Sequence, residues 1–200
     1  AYAYCACYSL TGQPTCGPNV TNMFQTYFGC YNLTGSPVCG PNVANMYATY
    51  SNCQNLTGPP TCGNNVVDMS YAYNNCINLT GPAVCGPNVT YMVHTYDNCY
   101  NLTGPAVCGD KVTIMDYAYL NCTNISGYGI VGPNVTSAAY AFMGSGLTSG
   151  ACNAYFLSSK VSNTVGCFGA KTAGNGATLN IYVPESSTTL NSCLINNSRS

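Results

Sequence analysis

Charge is what this chain has least of: four Lys or Arg and five Asp or Glu among 200 residues, for a net charge of −1. An average globular protein is about one quarter charged. So few cations exclude a charge-driven grip on nucleic acid or on an anionic membrane surface. So few acids and bases leave little material for proton-transfer chemistry. Trp is absent, His occurs once and no C-x-x-C pair is present, so zinc binding is not expected and no more than one Ser-His-Asp triad can be built. Hydrophobic residues reach 46%, yet no stretch approaches the roughly 20 consecutive apolar residues that span a bilayer. Solubility must come from Asn, Thr, Ser and Tyr, as in a soluble or surface-exposed chain.

What is present is a repeat. Leu10, Leu33, Leu56, Leu79 and Leu102, then Ile125, follow one another at 23 residues (33 − 10 and so on). The same step carries Met23, Met46, Met69, Met92 and Met115, and the series Tyr4, Tyr27, Tyr50, Tyr73, Tyr96, Tyr119 and Phe142. Two cysteine columns keep it as well: Cys7, Cys30, Cys53, Cys76, Cys99 and Cys122, and separately Cys16, Cys39, Cys62, Cys85 and Cys108.

Each unit divides in two. Val43, Met46, Tyr50 and Cys53 are spaced 3, 4 and 3 apart, which places them on one face of a short helix. Leu33 and Cys39, an even number apart, fit a short strand with Gly35 and Pro37 also inward and Thr34, Ser36 and Val38 outward. Gly40-Pro41-Asn42 turns one half into the other. A unit this short cannot bury its apolar side alone, so copies must stack into a solenoid. The expected fold is an α/β repeat solenoid of about seven coils, each one short strand plus one short helix, roughly 35 to 40 Å long at ordinary strand spacing.

The pattern V-x-x-M-x-x-x-Y-x-x-C-x-N-L-T resembles the BspA-type leucine-rich repeats of bacterial surface proteins. The resemblance covers residues 1 to about 150, and Leu179-Asn180-Ile181-Tyr182-Val183-Pro184 is similar to the closing coil of such arrays. It departs from the family in the second Cys column and in the Gly, Pro and Ala of the strand half. It implies a leucine-rich-repeat-like fold and an extracellular recognition or adhesion module, with similar repeats expected in phage surface and fibre proteins. It supplies no catalytic residue, and no cofactor or metal is expected.

Regularity fades late in the chain. Residues 1–150 read as the solenoid and 151–200 as an irregular C-terminal coil and cap over its last edge. At the other end the columns are already in register at Tyr4, so the chain reads as starting inside a helix, a processed product or the ordered part of a longer chain. Both cysteine columns end together, at Val131 and beside Gly144. Paired loss favours paired use, as bridges Cys16 to Cys30, Cys39 to Cys53, Cys62 to Cys76, Cys85 to Cys99 and Cys108 to Cys122. Each would close a loop of about 15 residues, worth about 3 kcal/mol in chain-entropy models, and would place the chain in an oxidising compartment. The alternative is that each Cys is a small buried hydrophobe.

The search for chemistry returns little. His94 and Asp97 form the one local acid-base pair, but their columns vary and read as outer surface. Gly166 to Gly176, with Lys171-Thr172, lacks phosphate-loop spacing. Sequons at Asn19, Asn32, Asn55, Asn78, Asn88, Asn101, Asn124 and Asn134 follow from the repeat itself, and few or none are expected to be glycosylated. The best functional clue is the outward row Thr11, Thr34, Thr57, Thr80 and Thr103, beside a column of Thr15, Val38, Thr61, Val84, Val107 and Ile130, with Tyr8, Tyr31 and Tyr100 adding amphipathic contacts. The expected role is a non-enzymatic extracellular, cell-surface or virion-surface module. It would bind a protein or glycan receptor or pack against its own copies in a fibre. Ice binding by the Thr ladder and a purely structural filament subunit are the alternatives. Neither nucleic acid nor membrane insertion is expected.

Overall fold

The computed structural model describes residues 1–148, 152–169 and 179–187. The chain stacks coil upon coil in parallel. Bridges link Asn22, Asn45, Asp68, Tyr91, Ile114 and Ser137 in succession at 23 residues each, and Ser137 to Asn163. Five short strands are regular enough to name: β1 (Gly81–Pro82), β2 (Leu102–Thr103), β3 (Tyr128–Val131), β4 (Cys152–Phe156) and β5 (Leu179–Tyr182). β1 pairs with β2, and β3, β4 and β5 form a parallel sheet in that order. Stacking therefore runs on past residue 150, and Phe168 continues the aromatic column beneath Phe142.

The expected α/β, leucine-rich-repeat-like coil with one helix is corrected. Among the described residues there is no α-helix, only one 3-10 turn at Gly146–Thr148. Val43, Met46, Tyr50 and Cys53 do point inward and are buried, but two successive turns carry them there. Thr49 N–H donates to the Met46 carbonyl at 3.0 Å, and Cys53 N–H to the Tyr50 carbonyl at 2.9 Å. Ala48 and Asn52, the third residue of each turn, have φ of 48° and 64°, the signature of a type II turn. The alternate amides leave the coil altogether. Met46, Ala48, Tyr50 and Asn52 donate to the carbonyls of Asp68, Ser70, Ala72 and Asn74 in the next coil, at 2.8–2.9 Å. A helix would spend those amides within itself; here they stitch each coil to its neighbour.

The left-handed third position explains one column of the repeat. Gly29, Asn52, Asn75, Asn98, Asn121 and Gly144 all have positive φ there, and Gly and Asn are the residues that adopt it at least cost. The four Asn also form a ladder, in which three Nδ2 groups donate to the Oδ1 one coil earlier: Asn75 to Asn52 at 3.1 Å, Asn98 to Asn75 and Asn121 to Asn98 at 2.9 Å.

The strand half is less regular than its alternation implies. Leu33 and Pro37 are buried and Thr34 is exposed as expected, but Gly35 and Cys39 are only partly buried. Gly35 has a φ of 80°, and the equivalent Gly of every coil from Gly12 to Gly127 is also positive. Past this glycine the backbone turns to the tyrosines. The Tyr50 hydroxyl donates to the Val38 carbonyl at 2.7 Å and accepts from the Val38 N–H at 3.2 Å. Tyr27 clips Thr15, Tyr73 clips Thr61 and Tyr96 clips Val84 in the same way. The Tyr column is thus both core filling and the hydrogen-bond partner of the opposite wall. At Phe142 no hydroxyl is available, and there the opposite strand β3 is paired to β4 instead.

Candidate functional site

The Thr row lies as the pattern requires. Thr11, Thr34, Thr57, Thr80 and Thr103 are all exposed. Thr34, Thr57 and Thr80 N–H donate to the carbonyls of Gly12, Gly35 and Gly58 at 3.0–3.1 Å, so the backbone beneath is fixed. Next to it stand Gln13, Ser36, Pro59, Pro82, Pro105 and Tyr128, and of the expected flanking column Thr15 is exposed while Val38, Thr61, Val84, Val107 and Ile130 are partly buried, so only one row is continuously Thr. Tyr31 and Tyr100 are each 41% exposed. The Tyr31 ring stacks on Tyr8 at 5.4 Å. Tyr100, three coils further on beyond Gln54 and Ile77, is not brought to them and contacts the Asn98 side chain at 3.3 Å.

Among the described residues the cysteines are free thiols, and the five expected bridges are not formed. Each column has its own use. Cys30, Cys53, Cys76, Cys99 and Cys122 are buried and donate to the carbonyls of Tyr4, Tyr27, Tyr50, Tyr73 and Tyr96 in the preceding coil at 2.9–3.0 Å. Burial pushes the thiols of Cys53, Cys76, Cys99 and Cys122 well above their ordinary range. Cys16, Cys39, Cys62, Cys85 and Cys108 sit beneath a glycine of the next coil. Gly63, Gly109 and Gly132 N–H donate to the sulfurs of Cys39, Cys85 and Cys108 at 3.3, 3.2 and 3.0 Å. Burial raises Cys62 and Cys108 to about 12 and Cys85 to about 11. A Cβ on Gly40 would stand 2.7 Å from the Cys16 sulfur, so the Cys and Gly columns are matched. The joint disappearance of cysteines near residue 131 has a packing counterpart. The coil beyond Val131 pairs through β4, with Phe156 opposite and Leu157 next in sequence.

His94 and Asp97 are not the outer pair that helical phasing implies. His94 Nδ1 lies 2.8 Å from Asp97 Oδ2, and the two side chains are 22% and 9% exposed. Asn74 Nδ2 donates to the same oxygen at 3.2 Å, while Asp97 Oδ1 is buried without a partner. His94 belongs to a feature the sequence reading missed, a second aromatic column. Ring centres run from Phe24 to Tyr47 (5.0 Å), Tyr71 (5.6 Å), His94 (4.8 Å), Tyr117 (4.3 Å) and Tyr140 (4.9 Å). Where the column of His94 holds Gln25 and Ala48, the preceding position supplies Phe24 and Tyr47. That one-residue substitution hid the ribbon from a search at fixed period.

Five of the eight sequon asparagines of the repeats bond to the backbone of the preceding coil. Asn32, Asn78, Asn88, Asn101 and Asn134 Nδ2 donate to carbonyls of Tyr8, Gln54, Asn64, Ile77 and Asp110 at 2.7–3.0 Å. Each amide anchors one coil to the last. The segment holding Lys171-Thr172 lies outside the described residues. Among the described residues no three His, Cys, Asp or Glu are grouped to hold a metal ion, and no helix is long and apolar enough to cross a membrane. No protein-family model, curated protein or solved structure matches this chain.

Proposed function

We propose that the chain is a non-enzymatic adhesion module, displayed on a bacterial cell or a phage particle, that engages a protein or glycan receptor along its length. The observation that carries this reading is the exposed, uncharged row Thr11, Thr34, Thr57, Thr80 and Thr103 on a backbone bonded coil to coil. Such a row presents one chemical group at regular intervals on a rigid support, which favours an extended partner over a small molecule. The resemblance of V-x-x-M-x-x-x-Y-x-x-C to the repeats of bacterial surface proteins supports the same assignment. Ice binding has less support, because a two-dimensional lattice match asks for a second Thr row and the neighbouring column is mostly Pro, Ser and Gln.

The test is attachment of purified protein to a panel of bacterial and animal cells and arrayed glycans, with Thr57→Lys and Thr80→Lys as surface variants. Saturable attachment lost in both variants, at unchanged far-ultraviolet circular dichroism, is the expected result. Attachment indifferent to both, or none across the panel, refutes the proposal.

A further inference from the structure

The ribbon Phe24, Tyr47, Tyr71, His94, Tyr117 and Tyr140 lies on the turn half of the coils, away from the Thr row. Its rings stack largely face on face, so apart from the ends of the column they offer edges and polar tips to the outside. All six are partly buried. The hydroxyls of Tyr47, Tyr71, Tyr117 and Tyr140 have no hydrogen-bond partner among the described residues, and none of them is a sealed, unsatisfied atom. With His94 Nδ1 held by Asp97 Oδ2, Nε2 is the ring nitrogen left to meet a ligand. The ribbon is therefore a file of neutral donors and acceptors, on apolar ring edges, at steps of 4.3–5.6 Å.

The step and the charge together select the partner. An extended polypeptide returns a side chain to the same face only every 6.4–6.8 Å or so. A nucleic-acid strand advances about 3.4 Å per phosphate and requires cations, and the ribbon has none besides its one imidazole. The nearby acids do not suit a polyanion: Asp68 accepts the Ser70 N–H, and Asp116 accepts from Ser137 and Ala139. A 1,4-linked pyranose chain advances by one sugar ring and its bridging oxygen per residue, the same scale as one ring-to-ring step. It carries neutral hydroxyls at every step and exposes C–H edges between them.

We propose that this ribbon is a binding site for an extended, neutral, 1,4-linked polysaccharide lying parallel to the solenoid axis, with one sugar opposite each of Tyr47, Tyr71, His94, Tyr117 and Tyr140 and none required at Phe24. The site is separate from the Thr row, so it adds a second binding face to the proposed adhesion module and does not name the ligand of the first. Each sugar hydrogen-bonds one phenol or the His94 Nε2, and its hydrophobic face covers ring edges. Affinity therefore accumulates along the chain rather than residing in one subsite.

The experiment is calorimetric titration of the intact chain with β-1,4-linked glucose and N-acetylglucosamine oligomers of two to six sugars, with the His94 ring protons followed by NMR. Binding that strengthens at least about tenfold from two to six sugars and shifts the His94 resonances is expected, since each added neutral hydrogen bond contributes about threefold to tenfold. Tyr71→Phe and Tyr117→Phe keep the stack, and each should weaken the hexamer by about threefold to tenfold. Their urea midpoints should not move. Binding independent of length, or unchanged in both variants, overturns the proposal. So does self-association abolished by the same variants, which would make the occupant a second copy. Attachment to a protein receptor with no oligosaccharide response overturns this site and leaves the adhesion reading standing.

Discussion

Replacing Tyr73 by Phe removes one oxygen from the centre of the molecule and nothing else. Tyr73 is fully buried between Tyr50 and Tyr96, at ring-centre distances of 5.7 and 5.6 Å, and Phe preserves that packing. What is lost is the clip on Thr61, whose N–H donates to the hydroxyl at 3.1 Å and whose carbonyl accepts from it. Thr61 is only partly buried, so water can reach part of the orphaned pair. The cost is then about 1–3 kcal/mol, that of leaving backbone polar groups without partners. Tyr73→Ala adds a cavity and should cost about 3–5 kcal/mol. The reverse change at Phe142 has the opposite logic. Ile130, across from it, already donates to the Ala106 carbonyl at 2.8 Å and is paired in β3. Phe142→Tyr would therefore bury a hydroxyl without a partner and destabilise by a similar amount. Urea unfolding followed by circular dichroism measures both. A Tyr73→Phe loss below about 0.5 kcal/mol, or a stabilising Phe142→Tyr, refutes the clip as a source of stability.

Three further outcomes follow from the packing. Burial keeps Cys53, Cys76, Cys99 and Cys122 protonated in the fold, whereas unfolded thiols ionise near pH 8.5. Because the folded value is the higher one, their contribution is complete below about pH 8.5 and declines above it, by about 1.4 kcal/mol per thiol for each pH unit. Urea midpoints constant from pH 8 to pH 10 would contradict free, buried thiols, and thiol titration in denaturant would then look for bridges. Gly40→Ala should destabilise by about 1–3 kcal/mol through overpacking against the Cys16 sulfur, and Cys16→Ala in the same chain should return part of it. No recovery in the double variant would show that the two columns are not matched. Asn75, with a φ of 57°, should tolerate Gly better than Val, and Asn75→Val should cost about 1–3 kcal/mol. Equal unfolding midpoints for the two variants would disprove the conformational argument.

The period, the inward columns and the outward Thr row were legible because they depend only on which residues recur. The helix was not, because residues 3 and 4 apart face inward equally in a helix and in back-to-back four-residue turns. The discriminating signal was the column Gly29, Asn52, Asn75, Asn98, Asn121 and Gly144, in which Gly and Asn recur at a left-handed backbone, although Ala6 shares that column and the other left-handed column holds Gln25, Ala48, Tyr71, His94, Tyr117 and Tyr140. A helix interior does not favour that recurrence. The same misassignment moved His94 and Asp97 outward: a residue next to a core tyrosine points away from the core in a helix, but Asp97 here is 7% exposed. The Tyr clips were not legible because their partners lie 12 residues earlier and are backbone atoms, which leave no trace in composition. At the candidate site, the Thr row could be read because it repeats, and the ribbon could not because it changes column between Tyr47 and Tyr71.

The central tyrosine file also determines how the molecule handles light. With no Trp in the chain, an excited phenol has no lower-energy indole to drain it. Its nearest neighbours in the file are other rings at 5.2–5.9 Å, nearly parallel to it. Excitation absorbed anywhere along the file passes from ring to ring before emission, so a tyrosine replaced at one coil alters the fluorescence of the others. The array is its own optical reporter, and the unstacking of a single junction registers along its whole length.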